Sequence, residues 1–159
     1  MMANYSFPIW NIATVLNHLD SNSDINMRDK DGNTALHFSC KYGRLDILNR
    51  CIAASADVNL RNIKGDTALS YASGSRENGL VCVKALLKAG ADPNIGGCLL
   101  PIHQAAHIGN VDIAESLILS GALMGVRDYI GRTASEVGFV NGNDEFVSML
   151  ESIKARLYQ

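Results

Sequence analysis

His103 and His107 stand at i and i+4. That spacing can set two imidazoles on one face of a helix, as a zinc site requires. The intervening Gln104-Ala105-Ala106 supplies no carboxylate, and no third ligand follows nearby in sequence. The four cysteines fall at 40, 51, 82 and 98, and none forms a C-x-x-C pair. Cys40, Cys51 and Cys82 lie in apolar helical patterns and read as small buried core residues, free thiols in a reducing compartment. Cys98, in a Gly-rich loop, is the thiol expected to be exposed. The chain has no G-x-x-x-x-G-K-[ST] phosphate loop and no G-x-S-x-G elbow. Gly32 and Gly65 read as isolated turn glycines, not phosphate cradles. Ser, His and Asp are all present, but no spacing gathers them. The residue types thus point away from an enzyme and call for no metal and no cofactor.

The 159 residues suffice for one compact domain or one short repeat array. A hydrophobic share of 47% with 19% charged residues argues against global disorder. The net charge is −2, from 14 basic and 16 acidic side chains. With no basic surplus to drive counterion release, nucleic acid loses its main physical support as a partner. The uncharged run 93–111 carries Pro93, Pro101, Gly96, Gly97, two His and two Asn, so no membrane insertion is expected from it. Residues 1–10 lack the basic start and apolar run of a signal peptide, which makes a cytosolic or nuclear setting the default expectation.

A repeat organises the rest. Thr34-Ala35-Leu36-His37 recurs 33 residues later as Thr67-Ala68-Leu69-Ser70, then as Leu100-Pro101-Ile102-His103 and Thr133-Ala134-Ser135-Glu136. A second marker runs alongside: Ser55-Ala56-Asp57-Val58-Asn59, Gly90-Ala91-Asp92-Pro93-Asn94 and Gly121-Ala122-Leu123-Met124-Gly125. Ser23-Asp24-Ile25-Asn26 extends it backwards. Two markers locked to one period identify a repeat architecture.

Each unit reads as helix, turn, helix. Thr34 is a natural N-cap, and Ala35, Leu36, Ser39 and Cys40 form one helical stripe. Gly43 marks the break, and Leu45, Ile47, Leu48, Cys51 and Ile52 form a second stripe. Ala68, Leu69 and Ala72 with Leu80, Cys82, Val83, Leu86 and Leu87 repeat the pattern. So do Ile102, Ala105 and Ala106 with Val111, Ile113, Leu117 and Ile118. Pro101 suits the first helical position. The small residues Ser39, Ala72, Ala105 and Gly138 let adjacent first helices approach closely. No single unit can bury both stripes, whereas stacked units can, which predicts a quasi-linear solenoid. The ends should differ from the middle. Glu151 stands where interior units have Ile52, Leu87 and Ile118, and Thr133-x-x-Glu136 spells a capping box. The first unit keeps only a second helix over 12–19. There Val15 and Leu19 fit, while His18 falls on an otherwise apolar position.

The residues Asp29, Gly32, Thr34 to His37, Gly43 and Ala56 to Asn59, with their counterparts in three further units, resemble the ankyrin repeat family. The resemblance runs from residue 26 to about 152, with a degenerate unit before it. It implies an all-α solenoid of stacked antiparallel helix pairs with projecting hairpin loops and a concave face, about five units including degenerate end caps. The units are 1–25, 26–58, 59–93, 94–124 and a capping repeat over 125–159. It also gives His103 a structural task. Two departures stand out: two extra residues between the helices of the third unit, within 73–79, and a loop over 94–99 that is two residues short. Ser70 replaces the signature His and Leu100 the signature Thr, so those units should lose hydrogen bonds that tie loop to helix.

In such arrays loop tips and the inner face of the first helices make the contacts. The tip positions here are Lys30, Asp31 and Asn33, then Ile63, Lys64 and Asp66, then Tyr129, Ile130 and Arg132. The groove-side helix positions are Lys41 and Tyr42, Gly74 and Ser75, His107 and Ile108, and Val140 and Asn141. Tyr42, Ile63, Ile108, Tyr129, Ile130 and Val140 have no packing role within a unit, so an exposed apolar strip with a charged rim is expected there. The resemblance implies a non-catalytic module that binds a protein partner of unknown identity through this face. An inhibitor resembling the ankyrin-type cyclin-dependent kinase inhibitors, a secreted host-directed effector and a docking fragment of a longer protein are alternatives. A monomer is expected. A self-associating module remains the other class, with Phe7, Ile9 and Trp10 of the first unit offering a route to a dimer.

Overall fold

The computed structural model describes residues 11–21 and 23–157. Among them every regular element is a helix: α1 (Ile12–Asp20), α2 (Ala35–Lys41), α3 (Leu45–Ala53), α4 (Ala68–Ser73), α5 (Gly79–Lys88), α6 (Pro101–Ile108), α7 (Val111–Leu119), α8 (Ala134–Val140) and α9 (Asp144–Leu157). The expected solenoid is present. First helices α2, α4, α6 and α8 pack in one row, and second helices α1, α3, α5, α7 and α9 in another. Within a unit α2 packs on α3, α4 on α5, α6 on α7 and α8 on α9. Phe7, Ile9 and Trp10 lie outside the described residues.

The stripes read from the sequence form the core. Leu36, Ile47, Leu48, Leu69, Leu86, Ile102, Ile113, Leu117, Phe146 and Leu150 are all buried. Large apolar side chains removed from water contribute roughly 1.5–3 kcal/mol each, and here that gain comes from packing within units and between them. Ser39, Ala72 and Ala105 are fully buried, as the close approach of the first helices requires. At Gly138 a Cβ would stand 3.1 Å from the Phe146 ring. In α1, Val15 is buried, and His18 turns its Nε2 onto the Asp24 carbonyl at 2.8 Å. Cys40, Cys51 and Cys82 are buried free thiols and Cys98 is exposed, as the sequence indicated.

Both departures have a structural form. Residues 74–78 bulge between α4 and α5, ending on Asn78 in the left-handed region at φ 55°. The Asn78 side chain donates to the Gly43 carbonyl of the preceding unit at 2.9 Å, so the bulge is anchored. The short loop at 95–99 forms no finger of its own.

Candidate protein-binding face

Three fingers are built by one local rule. The residue opening each loop carries a side-chain oxygen, and the fourth residue is glycine. Asp29 Oδ1 accepts from the N–H groups of Asp31 (2.9 Å) and Asn33 (2.7 Å), and Asp29 N–H donates to the Asn33 carbonyl at 2.8 Å. Asn62 Oδ1 does the same for Lys64 (2.9 Å) and Asp66 (3.0 Å). Asp128 Oδ1 does it for Ile130 (3.0 Å) and Arg132 (2.8 Å). Gly32, Gly65 and Gly131 close the turns at φ 77°, 82° and 86°, values that a side chain would strain. Backbone and opening side chain hold the finger, which frees the tip side chains.

Neighbouring fingers are tied together. Ile63 N–H donates to the Asp31 carbonyl at 3.0 Å, and Asn62 Nδ2 reaches Asn33 Oδ1 at 2.9 Å. Where the fourth finger is missing, Tyr129 N–H reaches back to the Cys98 carbonyl at 3.3 Å. Two of the fingers are also tied to the first helix of the unit before them. His37 Nε2 lies 3.2 Å from the Asp66 carbonyl, and His103 Nε2 lies 3.1 Å from the Arg132 carbonyl. The His103 ring is thus committed inside the fold while His107 is exposed, so the i, i+4 pair does not converge.

The candidate contact residues divide in two. Ile63, Tyr129, Ile130 and Val140 are all more than half exposed, and Tyr42 is 52% exposed, its ring packed on Phe38 at 4.7 Å. The Lys41 ammonium lies 5.4 Å from the Tyr42 ring centroid, a cation–π arrangement that presents charge and ring together. Lys30, Asp31, Lys64, His107 and Asn141 are exposed as well. Asn33, Asp66 and Arg132 are only half exposed and are spent within the loops. Asn33 bonds Asp29 and Asn62. Arg132 pairs with Asp128 at 3.0 Å, and burial pushes the Asp66 carboxyl up. Ile108 is half-buried, because its side chain packs against the buried core instead of standing free. Gly74 and Ser75 sit in the anchored bulge, where Ser75 Oγ donates to the Glu77 carbonyl at 2.9 Å.

One exposed residue escaped the sequence reading. Phe139 occupies the position of Cys40, Ser73 and Ala106, which in interior units is small and buried, yet Phe139 is 72% exposed. Among the described residues no further unit covers it. With Val140 and Val147 it lines a depression of about 500 Å³ edged by Arg132, Glu136 and Glu151. The signal was a large aromatic where the interior units carry a small residue.

A family model described as ankyrin repeats, three copies, matches residues 9–97, and a single ankyrin repeat model matches 99–129. The chain belongs to the ankyrin repeat family. A comparison with curated proteins gives no match. Ankyrin repeats are generally protein–protein interaction modules, and the family is generally non-catalytic. The family matches stop at residue 129, whereas α8 and α9 continue the ankyrin packing beyond it. Among the described residues no helix is long and apolar enough to cross a membrane.

Proposed function

We propose that this ankyrin array is a non-catalytic protein-binding module whose contact face is made by finger tips and first-helix positions. The observation that carries the reading is the exposure of Ile63, Tyr129, Ile130 and Val140 at positions where the fold asks nothing of the side chain. Each finger is held by its opening Asp or Asn and its glycine, so a large apolar residue at the tip adds nothing to loop stability. Together with Tyr42 and Phe139 these side chains supply the apolar anchors, and Lys30, Asp31, Lys64 and Lys41 supply a mixed-charge rim.

The test is a paired Tyr42→Ala and Tyr129→Ala substitution in a pull-down with quantitative mass spectrometry. Aromatic anchors at the centre of an interface typically contribute about 2 kcal/mol or more. The double variant should therefore lose the partner while its circular dichroism and melting curve stay close to the parent's. An intact fold with undiminished capture of every partner would refute the contact-face assignment.

A further inference from the structure

The second helices of interior units stop at a left-handed residue: Ser55 at φ 58°, Gly90 at φ 90° and Gly121 at φ 93°. The loop after each stop folds onto the preceding unit. Asn59 Oδ1 accepts from Asp92 N–H at 2.8 Å and Asn94 Oδ1 from Leu123 N–H at 2.9 Å. The equivalent stop position in the last unit is Lys154. A lysine has no preference for that conformation, so α9 runs straight on to Leu157. Among the described residues no loop of the last unit covers residues 121–126, and a groove of about 1050 Å³ opens between them and the end of α9.

The straight helix explains why the groove exists, but not what lines it. Leu119 stands where interior units carry Ala53 and Lys88, and it is 89% exposed. Leu123 stands where they carry Asp57 and Asp92. Those aspartates stabilise their own turns, accepting from Asn59 N–H (3.0 Å) and Asn94 N–H (2.8 Å). Leu123 gives up that bond and is exposed. Leu157 faces the same groove from α9, over a floor that includes Met124 and Ile153. Two leucines thus replace residues that serve the repeat better and gather at one place. The charged side chains lining the groove are Lys154 and Arg156, with no acidic one among the lining residues. Lys154 is paired with Glu151 at 2.7 Å, so Arg156 carries the positive charge of the groove, and it outweighs the partial negative charge of the nearby α7 and α9 C-termini.

We propose that this groove is a second docking site, for a segment of another protein that carries aliphatic side chains beside a carboxylate. The aliphatic groups fill the space between Leu119, Leu123 and Leu157, and a carboxylate meets Arg156. The site lies apart from the finger tips and does not rest on the concave-face assignment.

The experiment pans a random peptide display library against the full chain, then titrates the enriched peptides by fluorescence anisotropy. The key variant is Leu119→Ala with Leu123→Asp. Both replacements are residues that other units carry at the same positions, so the fold is retained. Arg156→Glu is an independent second variant on an exposed side chain. The expected result is an enriched class rich in Leu or Ile and in Asp or Glu. It binds the leucine variant about tenfold or more weakly, equivalent to roughly 1.4 kcal/mol, binds Arg156→Glu more weakly, and binds the Tyr42→Ala/Tyr129→Ala chain unchanged. The proposal is overturned if every enriched peptide binds the leucine variant as tightly as the parent. It is also overturned if the variant's only effect is to abolish a dimer seen by sedimentation, or to abolish binding to phosphatidylserine vesicles.

Discussion

His103 Nε2 is hydrogen-bonded to the Arg132 carbonyl at 3.1 Å, while the Nδ1 of the same buried ring has no partner. In the second unit the equivalent atom, His37 Nδ1, accepts from Thr34 N–H at 3.1 Å and lies 3.0 Å from Thr34 Oγ1. The difference is one residue, Leu100 in place of threonine. Leu100→Thr supplies a hydroxyl and restores the paired arrangement. It should raise the unfolding free energy by about 1 kcal/mol, the typical net value of one such bond. Urea titration checks this, and a double-mutant cycle sharpens it: in a His103→Ala background the gain should shrink to what threonine contributes as the helix N-cap.

The same two rings set a pH window. Burial pushes both His37 and His103 down from the ordinary value of 6.5, and hydrogen bonds to the Asp66 and Arg132 carbonyls only partly oppose it. In the unfolded chain both titrate near 6.5, so below about that pH the unfolded state binds more protons than the native one. Stability should therefore be full above pH 7 and fall as pH drops from about 6.5 through the lowered native values. The salt-bridged carboxylates act elsewhere. The Arg44 guanidinium holds Asp46 below its usual range and the Lys154 ammonium does so for Glu151, contributions lost only below about pH 4. Unfolding free energies at pH 7.5, 6.5 and 5.5 for the parent and for His37→Gln/His103→Gln provide the check. The parent should weaken across this range, and the variant should show a flatter slope.

The solenoid was legible because the two markers recur with the period, and each stripe position carries the same demand in every unit. Leu36, Leu69 and Ile102 meet one environment three times. Exposure at the tips was legible for the same reason, since Asp29, Asn62 and Asp128 announce the finger that frees Ile63 and Tyr129. What the pattern hid were side chains whose surroundings depend on a neighbouring unit. Ile108 shares its repeat position with exposed Tyr42 and Asn141, yet local packing half-buries it. Phe139 shares its position with buried Cys40, yet the end of the array uncovers it. Arg132 looked like a rim charge, but Asp128 in its own loop claims it at 3.0 Å. Periodicity reports the average unit, and these residues differ from it through contacts that no single unit contains.

The missing fourth finger leaves a tight place. A Cβ on Gly97 would overlap the Asp66 carboxylate and the Lys64 carbonyl, so the short loop lies directly against the third unit's finger. Gly97→Ala has to push backbone from backbone. It should lower the unfolding free energy by about 1–3 kcal/mol, the usual range for overpacking. Gly125→Ala is the control, because a Cβ there meets nothing within 4 Å. Its effect should be neutral or slightly stabilising through the unfolded chain. Equal destabilisation by the two substitutions in a chemical denaturation series would mean that loop 95–99 is not seated against Asp66.

A ladder of asparagines links the loops on the side away from the fingers. Asn26 Oδ1 accepts from Asp57 N–H at 2.9 Å, and Asn59 takes Asp92 N–H and donates to the Gly90 carbonyl at 3.3 Å. Asn94 takes Leu123 N–H and donates to the Gly121 carbonyl at 3.0 Å. The next rung is Gly125, where among the described residues no later loop offers groups to bond. Asn94→Ala removes two bonds between units and should cost about 1–2 kcal/mol, with Asn59→Ala similar. Gly125→Asn restores the side chain but not its partners, so it should leave stability unchanged within about 0.5 kcal/mol. Because the array is stabilised by neighbour interfaces, Asn94→Ala should also loosen the last units first. Hydrogen exchange would then show faster exchange in α8 and α9 than in α2 and α3, and uniform acceleration across all helices would contradict that coupling.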